Sequence, residues 1–554
     1  GVSAVCCFLT AYPRSDFFHL ACATPFSWLI GIAVLWHTSR RWQRVLPTAA
    51  QWVGVGVFAA LLLTLAIAAA PQLQLAAEVA WHIWRPASSS LTRLDLKRAP
   101  LLVQRGVAPS VRDLVPLVPY LESASGEGLF TFPNLDLICF LSGRDTPARI
   151  GYFNPGWPDH LVEAEVVDDL EANPPALAVV ADPASLFFAD APAYYVLLGH
   201  FLEKRYVPAG HLGSYTVLRR LDIAVSPIAP PNAATIAGCD DPLLPQDPRQ
   251  LRACLSDDTT RSKDLLQGVR DSESPEAAAV VARWWVEHSA SLDSGDSMLA
   301  LRIIGELGDH RSAKALLDAP EPQPPQRDAW ATALFNIALR GLLDPLQWGR
   351  SDGRWQPAAS FDNVQLRDWL EDSNDVRLRF FAAWALGQAL PAETSPDDAN
   401  VAMLRQVFDS GHAALVLASG AGLVRTTSNP ELPRRLLQTL DAGRTLVPGL
   451  LREWQRRYPV AFTRFAASAL ANLPETQALL VALLAGLTDA SDLTAALHPL
   501  LSASSPRLRA AAVWSLGESG NRAALPLVHI FEADRDASVR NFATAARRQL
   551  EAGQ

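Results

Sequence analysis

Lysine is scarce in this sequence, and no basic tail offsets a formal net charge of −9 over 554 residues. That balance argues against a nucleic-acid binder, which needs a basic patch or stripe. Six cysteines are too few for a disulfide scaffold in a chain of this length. Cys239 and Cys254 flank one short segment and either pair or stay free, while Cys6, Cys7 and Cys22 sit in apolar surroundings. There is no basic start followed by a short apolar core and a cleavage site, so the chain does not open on a signal peptide. It opens at Gly1, already inside an apolar segment, and reads as a fragment whose N-terminal part is missing. No phosphate loop, paired-glycine dinucleotide turn, nucleophile elbow or zinc-protease motif occurs. No metal site and no cofactor are evident.

Charge is also absent from Leu46 to Ala70, whose one polar amide is Gln51. A bilayer core takes about 20 apolar residues at helical rise, so a transmembrane helix is expected over 46–70. A buried core helix is the alternative, although such helices usually carry charge on a solvated side. Phe17, Phe18 and Leu20 extend the uncharged run Ala21 to Trp36, giving a second span at about 17–37. Arg40, Arg41 and Arg44 lie between the two, as in a cytoplasmic turn. This orientation places residues after about 71 outside the plasma membrane, with Trp81 and Trp84 at the membrane surface. Residues 1–98 are thus expected to end a transmembrane domain of an integral membrane protein in contact with membrane lipid. Just before the first span, Arg14, Asp16 and His19 form a charged cluster. Asp16 and His19 share a helical side. Arg14 and His19 suit a phosphate, with Asp16 orienting the imidazole, or the three anchor the helix at the interface.

Residues 99–222 alternate strand and helix patterns. GLFTFP (128–133) and ALAVVAD (176–182) read as strands bounded by proline, Tyr194 to Arg205 as a helix, and Tyr215 to Leu218 as a strand. A partly parallel sheet with helices packed on it follows, that is, a small α/β domain. Its loop 132–157 is dense in polar chemistry, with Asn134 and Asp136 after a strand end and Arg144 and Arg149 around Asp145-Thr146-Pro147. Arginines at a strand exit bind phosphate or sugar hydroxyls; in the plainer reading they pair with carboxylates inside the domain.

The order of motifs here, LDLxxFLxGRxxPxR followed by an aromatic pair and Pro155-Gly156, resembles the C-terminal soluble domain of polytopic GT-C-type glycosyltransferases, the relatives of polyprenyl- and dolichyl-phosphate-sugar mannosyltransferases. The ending Tyr215 to Arg220 and the segment YPRSDFFHL are similar to the same group, so the resemblance covers about residues 1–222. It implies transfer of a sugar from a lipid-phosphate carrier to an extracytoplasmic acceptor, with the polyprenyl-phosphate sugar as donor substrate. It also implies a catalytic carboxylate upstream of residue 1, and donor-phosphate contacts from Arg14, Asp16, His19, Arg144 and Arg149.

A Pro- and Asp-rich stretch, 223–274, reads as a linker with a short helix around Gln250 to Leu255. From 275 to 554 the sequence repeats. RLRFFAAWALG (377–387) matches RLRAAAVWSLG (507–517), and LALRIIGELGDHRSAKALL (299–317) shares a turn with SLGESGNRAALPLV (515–528). Gly308, Gly387 and Gly517 stand 79 and 130 residues apart, about two and three units of roughly 40 residues, the period of helical-hairpin solenoids. Small residues let successive helices approach, and each hairpin needs its neighbours to bury its apolar side. Trp384 and Trp514 read as core rather than as ligand platforms. Asp375-Val376-Arg377 and Asp536 to Arg540 resemble the inter-helix turn of HEAT repeats, especially the lyase-type ones, which implies a protein partner.

The expected fold class is therefore multi-domain: transmembrane α-helices, a small α/β domain, and a C-terminal all-α HEAT-like solenoid. The expected function is that of a membrane glycosyltransferase fragment with a protein-binding array. The alternative is a non-enzymatic, membrane-anchored HEAT scaffold.

Overall fold

The computed structural model describes residues 91–98, 100–104, 113–181, 190–212, 214–223, 248–257, 262–272, 274–343, 361–391, 398–440, 445–488 and 493–552. The segments read as spans, 17–37 and 46–70, lie outside these residues. The chain divides into two compact units, residues 1–93 with 102–104, and residues 94–101 with 105–554. The first is described only at strand residues 91–93 and 102–104.

The expectation of transmembrane helices is corrected. The described chain is mostly helical, and among the described residues no helix is long and apolar enough to cross a membrane. The longest of them, Gln326–Leu343, carries Arg327, Asp328 and Arg340, which leaves too short an uncharged run for a bilayer core. Assignment as an integral plasma membrane protein is corrected on the same finding.

The elements begin with β1 (Leu91–Asp95) and β2 (Pro100–Gln104), which form a two-stranded sheet. Then come α1 (Leu114–Ser123), β3 (Leu129–Phe132), α2 (Asp136–Ser142), α3 (His160–Ala172), β4 (Leu177–Ala181), α4 (Ala191–Tyr194), α5 (Val196–Arg205), β5 (Tyr206–Leu212) and β6 (Tyr215–Arg220). The sheet order is β3-β4-β6-β5, with β3 parallel to β4 and the other pairs antiparallel. Side chains alternate across β3 and β4, as a strand's period of two requires. Phe130, Phe132, Ala178 and Val180 join one core with α3 and α5, whereas Leu129, Leu177 and Val179 join another with α1 and α2. Both sides of the central strands are covered, which is why ALAVV is apolar without a break.

Helices follow: α6 (Pro248–Asp257), α7 (Ser262–Ser272), α8 (Pro275–His288), α9 (Ser294–Leu307), α10 (His310–Asp318), α11 (Gln326–Leu343), α12 (Asn363–Asp372), α13 (Val376–Ala389), α14 (Ala399–Asp409) and α15 (Ala413–Leu423). The series continues with α16 (Glu431–Gln438), α17 (Val447–Arg457), α18 (Pro459–Ala469), α19 (Glu475–Gly486), α20 (Leu493–Leu501), α21 (Pro506–Glu518), α22 (Leu525–Phe531) and α23 (Ala537–Ala552). Two of these, α6 and α7, fall inside the stretch read as linker. They pack on α8 and α9 through buried Leu251, Leu255, Leu266 and Val269, so the array opens before residue 275. Cys254, buried on α6, is disulfide-bonded to a cysteine outside the described residues.

A single chemical device starts many of these helices. Asp293, Asp309, Asp362, Asp375 and Asp398 each precede a helix and accept from a backbone N–H of its first turn. Such a cap satisfies donors that have no partner within the helix. Helices α9, α11, α13, α15, α17, α19, α21 and α23 then stack in succession as one layer. Their spacing is set by small residues. A Cβ on Gly387 would lie 2.8 Å from Gly422 Cα, one on Gly486 2.6 Å from Ser515 Cα, and one on Gly517 2.7 Å from Ala546 Cα. On α9 the corresponding residue is Gly305, 3.1 Å from Ala333 Cα by the same measure. Gly308, matched by sequence to Gly387 and Gly517, instead ends the helix, its N–H bonding Ile304 O at 2.8 Å.

Candidate functional site

Arg14, Asp16 and His19 lie outside the described residues. Arg144 and Arg149 are described, and the fold does not bring them to a common site. Arg144 reaches from the loop after α2 to the C-terminal end of α1. Its Nε donates to Leu121 O at 2.7 Å, Nη1 to Gly126 O at 2.8 Å, and Nη2 to Ala124 O. A guanidinium there satisfies carbonyls that a helix end leaves without partners. Arg149 grips Asp169 on α3 with two bonds, 2.7 and 3.0 Å, and Glu165 at 3.2 Å. The Asp169 hydrogen bond holds its pKa above the ordinary arginine value. Asn134 accepts from Phe153 N at 2.7 Å and so fixes the same loop. The donors near the strand exit are thus engaged inside the domain.

Two other places hold polar chemistry. The first is within the α/β domain. Glu163 on α3 is fully buried, and its Oε1 accepts from Leu197 N at 2.7 Å and Leu198 N at 3.0 Å. It caps α5, whose own N-cap residue, Tyr195, gives that helix no side-chain cap. Oε2 meets His160 Nδ1 at 2.9 Å, and the imidazole stacks on Tyr194. Burial pushes the Glu163 carboxyl pKa up.

The second is where α3 and α5 meet the array. Helix α3 rests on α19 and α21, and α4 on α17. Trp514 on α21 donates its indole N–H to Asp168 Oδ1 at 3.1 Å. Gln549 Nε2 on α23 donates to Glu171 Oε2 at 2.8 Å and to Glu518 Oε1 at 2.7 Å. Arg507 meets Asp159, the cap of α3. On α17, Arg452 Nη2 lies 2.7 Å from His200 Nδ1. Burial, the Arg452 charge and the Lys204 charge push the His200 pKa down to about 3, so its ring is neutral and accepts. Sequence reasoning missed this junction, because its paired residues lie 252 to 378 positions apart. The array also carries an open groove of about 600 Å³ between α8 and α10, lined by Arg283, Val286, Glu287, Arg311, Lys314 and Asp318. Among the described residues no group of His, Cys, Asp and Glu could hold a metal ion.

Residues 464–547, from within α18 to within α23, match the protein family described as HEAT repeats. That match falls on the helices that hold α3. It leaves residues 1–222, where the glycosyltransferase resemblance lies, without support. The curated proteins give no match. Among solved structures, the crystal structure of an engineered protein from the Northeast Structural Genomics Consortium is 14% identical, over 56% of this chain and 95% of that one, with a TM-score of 0.27. A likeness that loose has no bearing on architecture or function. The chain therefore carries a HEAT-repeat region over residues 464–547, with a small α/β domain held against it.

Proposed function

We propose that this chain is a protein-binding scaffold built on its HEAT repeats, without an enzymatic role of its own. One observation carries the reading: the array already holds a helix of another domain. Trp514, Gln549 and Arg507, all from the repeats, engage α3 or its cap residue Asp159 through hydrogen bonds or an ion pair. Surfaces of stacked helices bind in this manner because each repeat adds a row of side chains to one extended face. The open groove between α8 and α10 gives a partner a second place to seat, with the apolar Val286 between charged neighbours. Donor-sugar chemistry has no part in this reading, since Arg144 and Arg149 are engaged within the domain.

Purification of the full chain with its native partners tests this, with lysine-directed cross-linking from Lys263 and Lys314. A protein that copurifies in fixed ratio and cross-links to the array supports the reading. Recovery of the chain without a partner, together with turnover of a polyprenyl-phosphate sugar, refutes it.

A further inference from the structure

The contact between α3 and the last repeats brings together more acid than it neutralises. Glu518 on α21 and Glu171 on α3 accept from the same amide nitrogen, Gln549 Nε2. Asp168, one turn earlier on α3, accepts from Trp514, one turn earlier on α21. The gap between the helices is lined by Glu171, His200, Lys204, Leu487, Trp514 and Glu518, and it leaves no space for a water molecule. From α3 the facing charges are Asp168, Asp169 and Glu171; from α5 they are Lys204 and Arg205, with His200 neutral. Arg149 occupies Asp169, and Arg205 lies 3.8 Å from Glu171. Helix α23 contributes only the neutral amide of Gln549. An exposed lysine and a half-buried arginine on α5 thus face three carboxyls that the helix packing leaves only partly exposed. Ionising all three there is costly, because like charges lie close together and packing strips each of part of its hydration.

We propose that this junction is a proton-controlled clasp, closed while Asp168 and Glu518 hold protons and loosened when those protons pass to solvent. Burial and the Glu171 charge push the Glu518 pKa up to about 7, and burial and the Glu518 charge push Asp168 well above the ordinary aspartate value. A carboxyl whose folded-state pKa is raised favours the closed form fully below its unfolded value. That contribution fades as pH rises through the folded value. The clasp therefore closes in mild acid and opens toward mildly alkaline pH. Opening exposes the sides of α19 and α21 that α3 covers, so the proton governs how much of the scaffold's face is free.

Hydrogen–deuterium exchange on the full chain, corrected for intrinsic rates, tests the clasp. Peptides covering α3 and α21 are expected to exchange about tenfold faster at mildly alkaline than at mildly acidic pH, one pKa unit being tenfold in proton affinity. The midpoint should fall near neutrality. Glu518→Gln and Asp168→Asn replace each acid by a neutral isostere, and each should keep α3 protected at the alkaline end. Equal protection of the unaltered chain at both pH values overturns the proposal, as does a step that persists undiminished in both variants. Should a variant fail to fold, the midpoint in the unaltered chain decides alone.

Discussion

The close approach of α13 and α15 makes a demanding prediction. Gly387 and Gly422 face each other in successive repeats. A Cβ on Gly387 would sit 2.8 Å from Gly422 Cα and 3.2 Å from Gly422 N. Both obstacles are backbone, so no rotamer change relieves them. Gly387→Ala should raise helix propensity by about 1 kcal/mol while overpacking costs about 1–3 kcal/mol. The net is a loss of about 1 kcal/mol, carried by helices buried over their central turns. Gly268→Ala on α7 is the matched control. A Cβ there meets nothing within 4 Å, so the propensity gain of about 1 kcal/mol stands alone. The two substitutions are chemically identical and should move the urea midpoint, followed by far-UV circular dichroism, in opposite directions. A Gly387→Ala midpoint at or above that of the unaltered chain would refute the steric account of repeat spacing.

Three further outcomes follow from bonds already described. Trp514→Phe removes the donor to Asp168 and leaves a buried carboxyl without it; stability measured in urea should fall by about 1–3 kcal/mol at neutral pH. Asp375→Ala strips the cap from α13, which should cost about 1 kcal/mol, whereas Asp375→Asn should keep most of it. Glu163→Ala orphans the N–H groups of Leu197 and Leu198 and should cost more than Glu163→Gln, whose amide oxygen still accepts. Comparison of the two midpoints checks the ranking.

The repeats were legible because their packing demands recur in the sequence. Arg-Leu-Arg, then Trp, then Leu-Gly came back at 377–387 and 507–517, since both helices must bury the same side and admit a neighbour at the glycine. The one-turn slip from Gly305 to Gly308 shows the limit of such matching, because two glycines with different roles stand in the motif GELG. The expected spans rested on long uncharged apolar runs and the arginines between them, local signals that say nothing of what surrounds a segment. Arg144 and Arg149 looked available to a ligand because their partners, carbonyls of α1 and carboxylates of α3, lie about 20 positions away. The junction was illegible for a related reason. Asp168, Glu518 and Gln549 resemble solvated helix positions until the fold closes over them. The one local hint was Trp514, an indole N–H that needs an acceptor once buried.

That closure also sets an order of events during synthesis. Asp168 and Trp514 are 346 positions apart. At about 5–20 residues per second, the ribosome takes about 20 to 70 s to supply the second after the first. The α/β domain can complete its sheet in that interval, yet the acidic side of α3 has no partner until the last helices emerge. For that time the nascent chain presents a surface that its finished form covers. Ribosome pausing late in the message should therefore lengthen exposure of α3, and limited proteolysis of stalled chains should cut there first.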